Sequence, residues 1–280
     1  MKEPTFLVTG ATDGIGRQAA LELAQQGVRV LLHARSRERG EPVLEALRRS
    51  SGNPSLALVV GDLASLAAVR ELAQQVRSQV GRLDGLVNNA GVFRKTRALT
   101  GDGFETTFAV NHLAPFVLTG ELLELLEAAP AARVINVTSL AHEGGRLDFD
   151  NLQGELRYDG FSAYALSKLA NVLFTLELAV RLRGSTITAN CLHPGVVTTK
   201  LLTEGFGIGG VPVERGTRCL LHLALAPELE ATTGEYFVDC RPAPIATVAR
   251  EPGMPARFWD HTEGLVGRFR ADRTAAPPGR

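Results

Sequence analysis

The sequence predicts a single doubly wound α/β domain, and three observations carry that prediction. Short apolar runs alternate with stretches of helical period along the chain. The alternation repeats at the pitch of strand, helix, strand, which specifies a parallel sheet covered on both faces. Every motif with chemical content falls at the carboxyl end of a predicted strand or on a helix that follows one, where open α/β sheets bind ligands.

Strands are predicted at residues 5–9, 28–33, 56–60, 83–88, 133–138 and 186–192, with a short last strand at 235–238. Helices are predicted at 14–26, 37–49, 65–80, 103–126, 163–183 and 213–226. No internal repeat or low-complexity linker divides residues 1–280, so one domain is expected, with a substrate-loop region at about 193–215 and a tail at about 240–280. The tail holds Trp259 in a stretch suited to docking a short helix, before a Pro/Gly-ended terminus expected to fray.

Composition narrows the classes of function. Lys+Arg and Asp+Glu both number 30, so no net field favours nucleic acid or an anionic membrane. The chain enters a strand at once, which leaves no room for a signal peptide, and no segment is expected to reach the ~18 apolar residues of a membrane span. Cys191, Cys219 and Cys240 are odd in number and lack metal-ligand spacing, so a reducing cytoplasmic setting without disulfides or metal is expected.

After the first strand, Thr9-Gly10-Ala11-Thr12-Asp13-Gly14-Ile15-Gly16 opens the first helix. Glycines let backbone approach a pyrophosphate, and a helix amino terminus offers free N–H groups and positive dipole. The second strand ends His33-Ala34-Arg35-Ser36, where NAD binders place an acid for the ribose; Arg35 instead suits a 2′-phosphate, and Arg37 and Arg39 are alternative partners. NADP (NADPH) is therefore expected over NAD. Asp62 and Leu63 follow the third strand, and Asn89, Ala90 and Gly91 the fourth, placing both segments at the same crevice; each also suits a cap or a turn. Tyr164 and Lys168 lie one helical turn apart on one face, where an ammonium stabilises a phenolate and lowers the phenol's pKa from about 10.

With Asn111, Ser139 and Pro194-Gly195 added in order, the sequence resembles the short-chain dehydrogenase/reductase family over about residues 5–240. The stretches SLAHEGGRLDFDNLQGE and FSAYALSKLANVLFTLELAVRL resemble its retinol-dehydrogenase-like branch. The resemblance implies hydride exchange between a nicotinamide cofactor and an alcohol or carbonyl, with Tyr164 as acid or base. Ser139 would bind the substrate oxygen, Lys168 the nicotinamide ribose, and Asn111 a water linking Lys168 to solvent. Val197 or Thr198, beside Thr199, would meet the nicotinamide end. It further implies a homo-oligomer, dimer or tetramer, paired through the two long helices with Leu122, Leu125, Leu169, Leu173 and Leu176.

His193 reads as a packed side chain, whereas His142 borders the expected substrate space, where a binding role is open. The glycine-rich segment 201–211 reads as a mobile lid, and Phe93, Leu140, Leu201, Leu202 and Phe206 would line an apolar pocket. Two other readings stand beside the dehydrogenase: an NADP-binding sensor or scaffold without turnover, and a reductase of carbon–carbon double bonds.

Overall fold

The computed structural model describes residues 3–267. Its eight-stranded sheet has the order β3-β2-β1-β4-β5-β6-β7-β8. These are β1 Thr5–Val8, β2 Arg29–Ala34, β3 Leu56–Val60, β4 Gly85–Asn88, β5 Ala132–Val137, β6 Ile187–His193, β7 Tyr236–Val238 and β8 Arg241–Pro242. The first seven run parallel and β8 returns antiparallel, so the doubly wound prediction is met. Strand order reverses between β1 and β4, and the crevice beyond that point receives the cavity described below.

Alternation along each strand builds two cores. Leu7, Leu31, Leu86 and Val134 face α3 (Leu66–Gln79), α5 (Ala114–Glu127), α6 (Gly160–Arg181) and α8 (Met254–Val266). Phe6, Val8, Leu32, Val87 and Ile135 face α1 (Gly14–Gln25), α2 (Arg37–Ser51) and α7 (Val213–Leu225). Period-two burial on both faces is why these strands read as continuous apolar runs.

Three sequence expectations are corrected. The helix expected at 103–126 is divided into α4 (Thr106–Phe108), a π-helical turn at Ala109–Leu113, and α5. Pro115 explains the widened turn, because it has no N–H to donate to the Asn111 carbonyl four residues earlier. The helix expected from 163 begins at Gly160, capped by Asp159, whose Oδ1 accepts from Ser162 N at 2.8 Å. α6 has 22 residues and an 18-residue window apolar enough to cross a membrane, contrary to the expectation that no segment would qualify; 83% of that window is buried inside the fold.

The tail carries the docked helix that the Trp259 stretch suggested. α8 buries Phe258 and Trp259; the Trp259 ring lies 4.8 Å from Phe116 and 5.8 Å from Phe174, with Arg181 4.4 Å above it. Leu122, Leu169 and Leu173 are fully buried within this one chain, so they carry no argument for pairing two copies. The terminal segment expected to fray lies outside the described residues.

Candidate active site

A cavity of about 810 Å³ opens at the strand-order reversal. At one end it meets the β1–α1 loop, where Gly10 and Gly14 have φ of 65° and 52°, conformations that glycine adopts without strain. A Cβ on Gly10 would lie 2.9 Å from the Ala90 backbone, and one on Gly16 2.3 Å from Asn89 Nδ2, so this loop fits only without side chains. Asp13 caps α1 through Gly14 N at 2.8 Å, and its other carboxylate oxygen meets Lys200 Nζ at 3.0 Å. Those interactions hold the Asp13 carboxyl below its usual range against the opposing effect of burial.

His33 fixes the same loop from below. Its Nδ1 accepts from Gly10 N at 3.0 Å, so Nε2 carries the proton and donates to the Gly61 carbonyl at 2.8 Å. Burial lowers its pKa and keeps the ring neutral in this clamp. The sequence signal was visible, a histidine at a strand end, but its two backbone partners are distant in the chain. Asn89 does similar work: Nδ2 donates to Thr9 O at 2.9 Å, while Thr9 Oγ1 accepts from Asn89 N and Ala90 N.

At the other end, α6 projects Tyr164 and Lys168 into the cavity, 8% and 4% exposed. Lys168 does not snorkel to a wet face: Nζ donates to the Val137 carbonyl at 3.1 Å and lies 5.5 Å from the centroid of the Tyr164 ring. An ammonium has three donors, and this bond uses one. Burial lowers Lys168 to about 8. Tyr164 goes the opposite way from the sequence expectation: burial pushes it up to about 12, and the hydrogen bond with Ser139 only partly offsets this. Desolvation of the phenolate is the dominant effect on this group.

Asn111 lies entirely beneath the surface on the π-helical turn. Its Nδ2 donates to Val92 O and to Ser167 Oγ, both at 3.0 Å, and its Oδ1 accepts from Val92 N at 2.8 Å. Ser167 Oγ in turn donates to the Tyr164 carbonyl at 2.7 Å. Asn111 thus joins the loop after β4 to the segment of α6 between Tyr164 and Lys168. Both its side-chain N–H groups are committed to protein, so the side chain does not present them to a water.

The cavity brings together most of the predicted positions: Gly10, Thr12, Asp13, Gly14, Ile15, Gly16, Arg35, Asp62, Leu63, Asn89, Ala90, Gly91, Ser139, Tyr164, Lys168, Pro194, Gly195 and Val197. Three predicted positions stand apart from it. Asn111 acts from behind. Ser36 begins α2 and is not on the cavity wall. Thr198 exchanges hydrogen bonds with Gly210 at 2.8 and 2.9 Å at the base of the lid, and Thr199 takes the wall position instead.

Of the three arginines considered, Arg37 pairs with Glu41 at 2.9 Å, whereas Arg35 and Arg39 line the cavity. His142 does not border substrate space: it is fully buried, with Nδ1 on the Ser139 carbonyl and Nε2 accepting from Ala246 N at 3.2 Å. His193 is packed as expected, accepting from Leu140 N, and burial lowers it to about 4.

The lid is ordered into a π-helical turn, Leu201–Phe206. Phe206 stacks 4.4 Å from Phe93 and stands edge-on to Tyr164 at 5.3 Å, with Phe161 at 6.2 Å. No ligand cluster for a metal occurs among the described residues.

A glycine cradle at a helix amino terminus, joined by one cavity to a buried Tyr and Lys and a half-buried Ser, defines a nicotinamide-dependent oxidoreductase. The family model described as short chain dehydrogenase matches residues 4–206, and the chain belongs to the short-chain dehydrogenase/reductase family. Within it, the chain falls in the retinol-dehydrogenase-like branch. It is 40% identical to retinol dehydrogenase 11 of Homo sapiens over 93% of this chain and 85% of that protein. It is also 40% identical to retinol dehydrogenase 13 of Mus musculus, over 99% of this chain and 86% of that one.

Among solved structures, a protein from Mycobacterium paratuberculosis superposes with a TM-score of 0.79 at 33% identity, covering 94% of this chain and 93% of its own. A short chain dehydrogenase of Escherichia coli CFT073, complexed with NADPH, gives 0.72 at 26% identity, over 85% of this chain and 96% of its own. The activity is the interconversion of alcohol and carbonyl with a nicotinamide cofactor.

Proposed function

We propose that the protein is an NADPH-preferring oxidoreductase of apolar aldehydes, ketones or the corresponding alcohols, with Tyr164 as the proton donor in reduction. The observation that carries this reading is the set of partners around Tyr164: Ser139 acts on its hydroxyl, the Lys168 ammonium lies 5.5 Å from its ring, and Phe93 and the lid's Phe206 stand edge-on to it.

The residues fit a dinucleotide. The side-chain-free cradle of Gly10, Gly14 and Gly16 gives a pyrophosphate access to the N–H groups that open α1. The remaining donors of Lys168 suit ribose hydroxyls. Arg35, directly after β2, and Arg39, in the first turn of α2, both line the cavity, and no acidic residue ends β2, which favours a 2′-phosphate. When bound, the cofactor supplies or accepts hydride.

The chain's own residues manage the proton. With its pKa near 12, Tyr164 is protonated at neutral pH and ready to donate from Oη to a carbonyl oxygen as that oxygen gains negative charge. Ser139 donates to the same oxygen and stabilises the developing alkoxide. Lys168 holds a positive charge beside the phenol that is left negative, and the Asn111 carbonyl offers a way for the proton to be replaced from water. Alcohol oxidation runs the same path backwards, with phenolate as base. Phe161, Leu202 and Phe206 supply apolar walls, with the expected Phe93 packed against Phe206 and off the cavity wall, consistent with a substrate whose carbonyl is its main polar group.

Nicotinamide fluorescence during separate titrations with NADPH and NADH, followed by addition of aldehydes and ketones graded in polarity, tests both parts. Tighter NADPH binding and faster turnover of apolar carbonyls are expected. Equal binding of the two cofactors would overturn the 2′-phosphate assignment, and preferential turnover of hydrophilic sugars would overturn the apolar one.

A further inference from the structure

The hairpin joining β7 to β8 turns through Asp239 and Cys240, with φ of 48° and 60°. They are the two non-glycine residues with positive φ among the described residues. A two-residue hairpin with both residues in the left-handed region favours Asn-Gly or Asp-Gly, because a Cβ is strained there. Asp suits the first place, but cysteine stands where glycine would be unstrained. Backbone strain of this kind is a pointer to function when something nearby uses the side chain.

The Cys240 side chain packs against the core cluster beneath α7, where Cys219 is buried. The Cys219 sulfur meets both the backbone N–H and the thiol of Cys240. Cys191 lies in the core on the opposite face of the sheet. The fold therefore pairs two of the three thiols and sets the third apart.

We infer that Cys219 and Cys240 form an oxidation-sensitive dithiol, which a peroxide converts to a disulfide. Cys240, the partly exposed member, reacts first: its sulfur attacks one oxygen of hydrogen peroxide, the O–O bond breaks, and a sulfenic acid and one water form. The Cys219 sulfur then attacks the Cys240 sulfur, the S–O bond breaks, and the oxygen leaves as a second water with the Cys219 proton. Two thiols and one hydrogen peroxide give one disulfide and two waters. Burial holds Cys219 protonated, which makes it the second thiol to react.

The cross-link would tie two supports of the site together. Val238, at the start of the turn, pairs with His193 on the cavity wall. α7 begins shortly after the lid, and its Gly216 packs so closely on Val197 that a Cβ would lie 2.6 Å from it.

Peroxide titration of the full chain, read by thiol counting under denaturing conditions, intact mass and peptide mapping, tests the pair. Three free thiols should fall to one, Cys191, with a Cys219–Cys240 peptide lacking two hydrogens and a rise in Tm that dithiothreitol reverses. Cys219→Ser should yield an oxygen adduct on Cys240 and no rise in Tm. Should that buried variant fail to fold, Cys240→Ser, in a surface turn, should leave the remaining thiols unreactive at the same peroxide dose. Oxygen adducts on Cys240 of the native chain with Cys219 still alkylatable, a cross-link through Cys191, or no thiol loss at a dose that oxidises a small free thiol would each overturn the inference.

Discussion

The floor of the cavity and its lid are built to opposite standards. On the floor, Asn111, Lys168 and Tyr164 are buried, and each is held by partners on other elements. The lid turn, Leu201–Phe206, has no buried residue, and its link to the glycine-rich loop is an ion pair between Lys200 and Asp13, side chains 75% and 54% exposed. The difference matches the two duties that the proposed function requires. Proton transfer needs atoms fixed to fractions of an ångström, whereas admitting and releasing substrate needs a wall that moves.

The floor is clasped from outside by α8, so its weakest point is an aromatic plug far from the chemistry. Trp259→Ala should cost about 3–5 kcal/mol of stability, seen as a large fall in Tm, because it empties the space against Phe116 and Phe174. A change below about 1 kcal/mol would mean that the floor does not depend on α8.

Titration of the floor comes next in size. The Lys168 pKa is lowered to about 8, so its charge is present below that pH and lost as pH rises through it. NADPH affinity and reduction rate should be level near pH 6–7 and decline above about pH 8, approaching tenfold per pH unit. Lys168→Arg, which stays charged, should abolish that limb even if it lowers the plateau. A limb that persists in Lys168→Arg would assign it to another group.

On the lid, Phe206→Ala should alter preference more than chemistry. Removing the ring beside Phe93 and Tyr164 should shift kcat/KM towards bulkier carbonyls by roughly tenfold, with Tm little changed. An equal loss for small and bulky substrates would instead make Phe206 part of the fixed floor. The smallest effect belongs to Lys200→Met. An exposed pair is worth at most ~1 kcal/mol and is screened by salt, so KM for NADPH should change by no more than roughly fivefold, and raised ionic strength should erase the difference.

Strand and helix periodicity made the fold legible, since a parallel sheet buried on both faces leaves the plainest pattern a sequence can carry. The residues that meet at the cavity were legible because each closes a strand or rides one helix face. What escaped depends on partners distant in sequence. Nothing in the residues around His142 announces that Ala246 will cover it, and the choice between Thr198 and Thr199 follows from the pairing of the lid base with Gly210. The periodicity over 103–126 read as one helix and passed over Pro115, whose effect falls four residues upstream, at Asn111. The Tyr164 pKa was misjudged for an energetic reason: sequence supplies the neighbouring charge but not the degree of burial that outweighs it.

Single-turnover reduction by Tyr164→Phe, with NADPH binding measured on the same preparation, tests the fixed floor most directly. If Tyr164 donates the proton, NADPH should bind as tightly as to the native protein while the chemical step slows at least ~100-fold, a loss of about 2.7 kcal/mol in transition-state stabilisation. Native binding with a near-native rate would contradict it and move the proton to another donor.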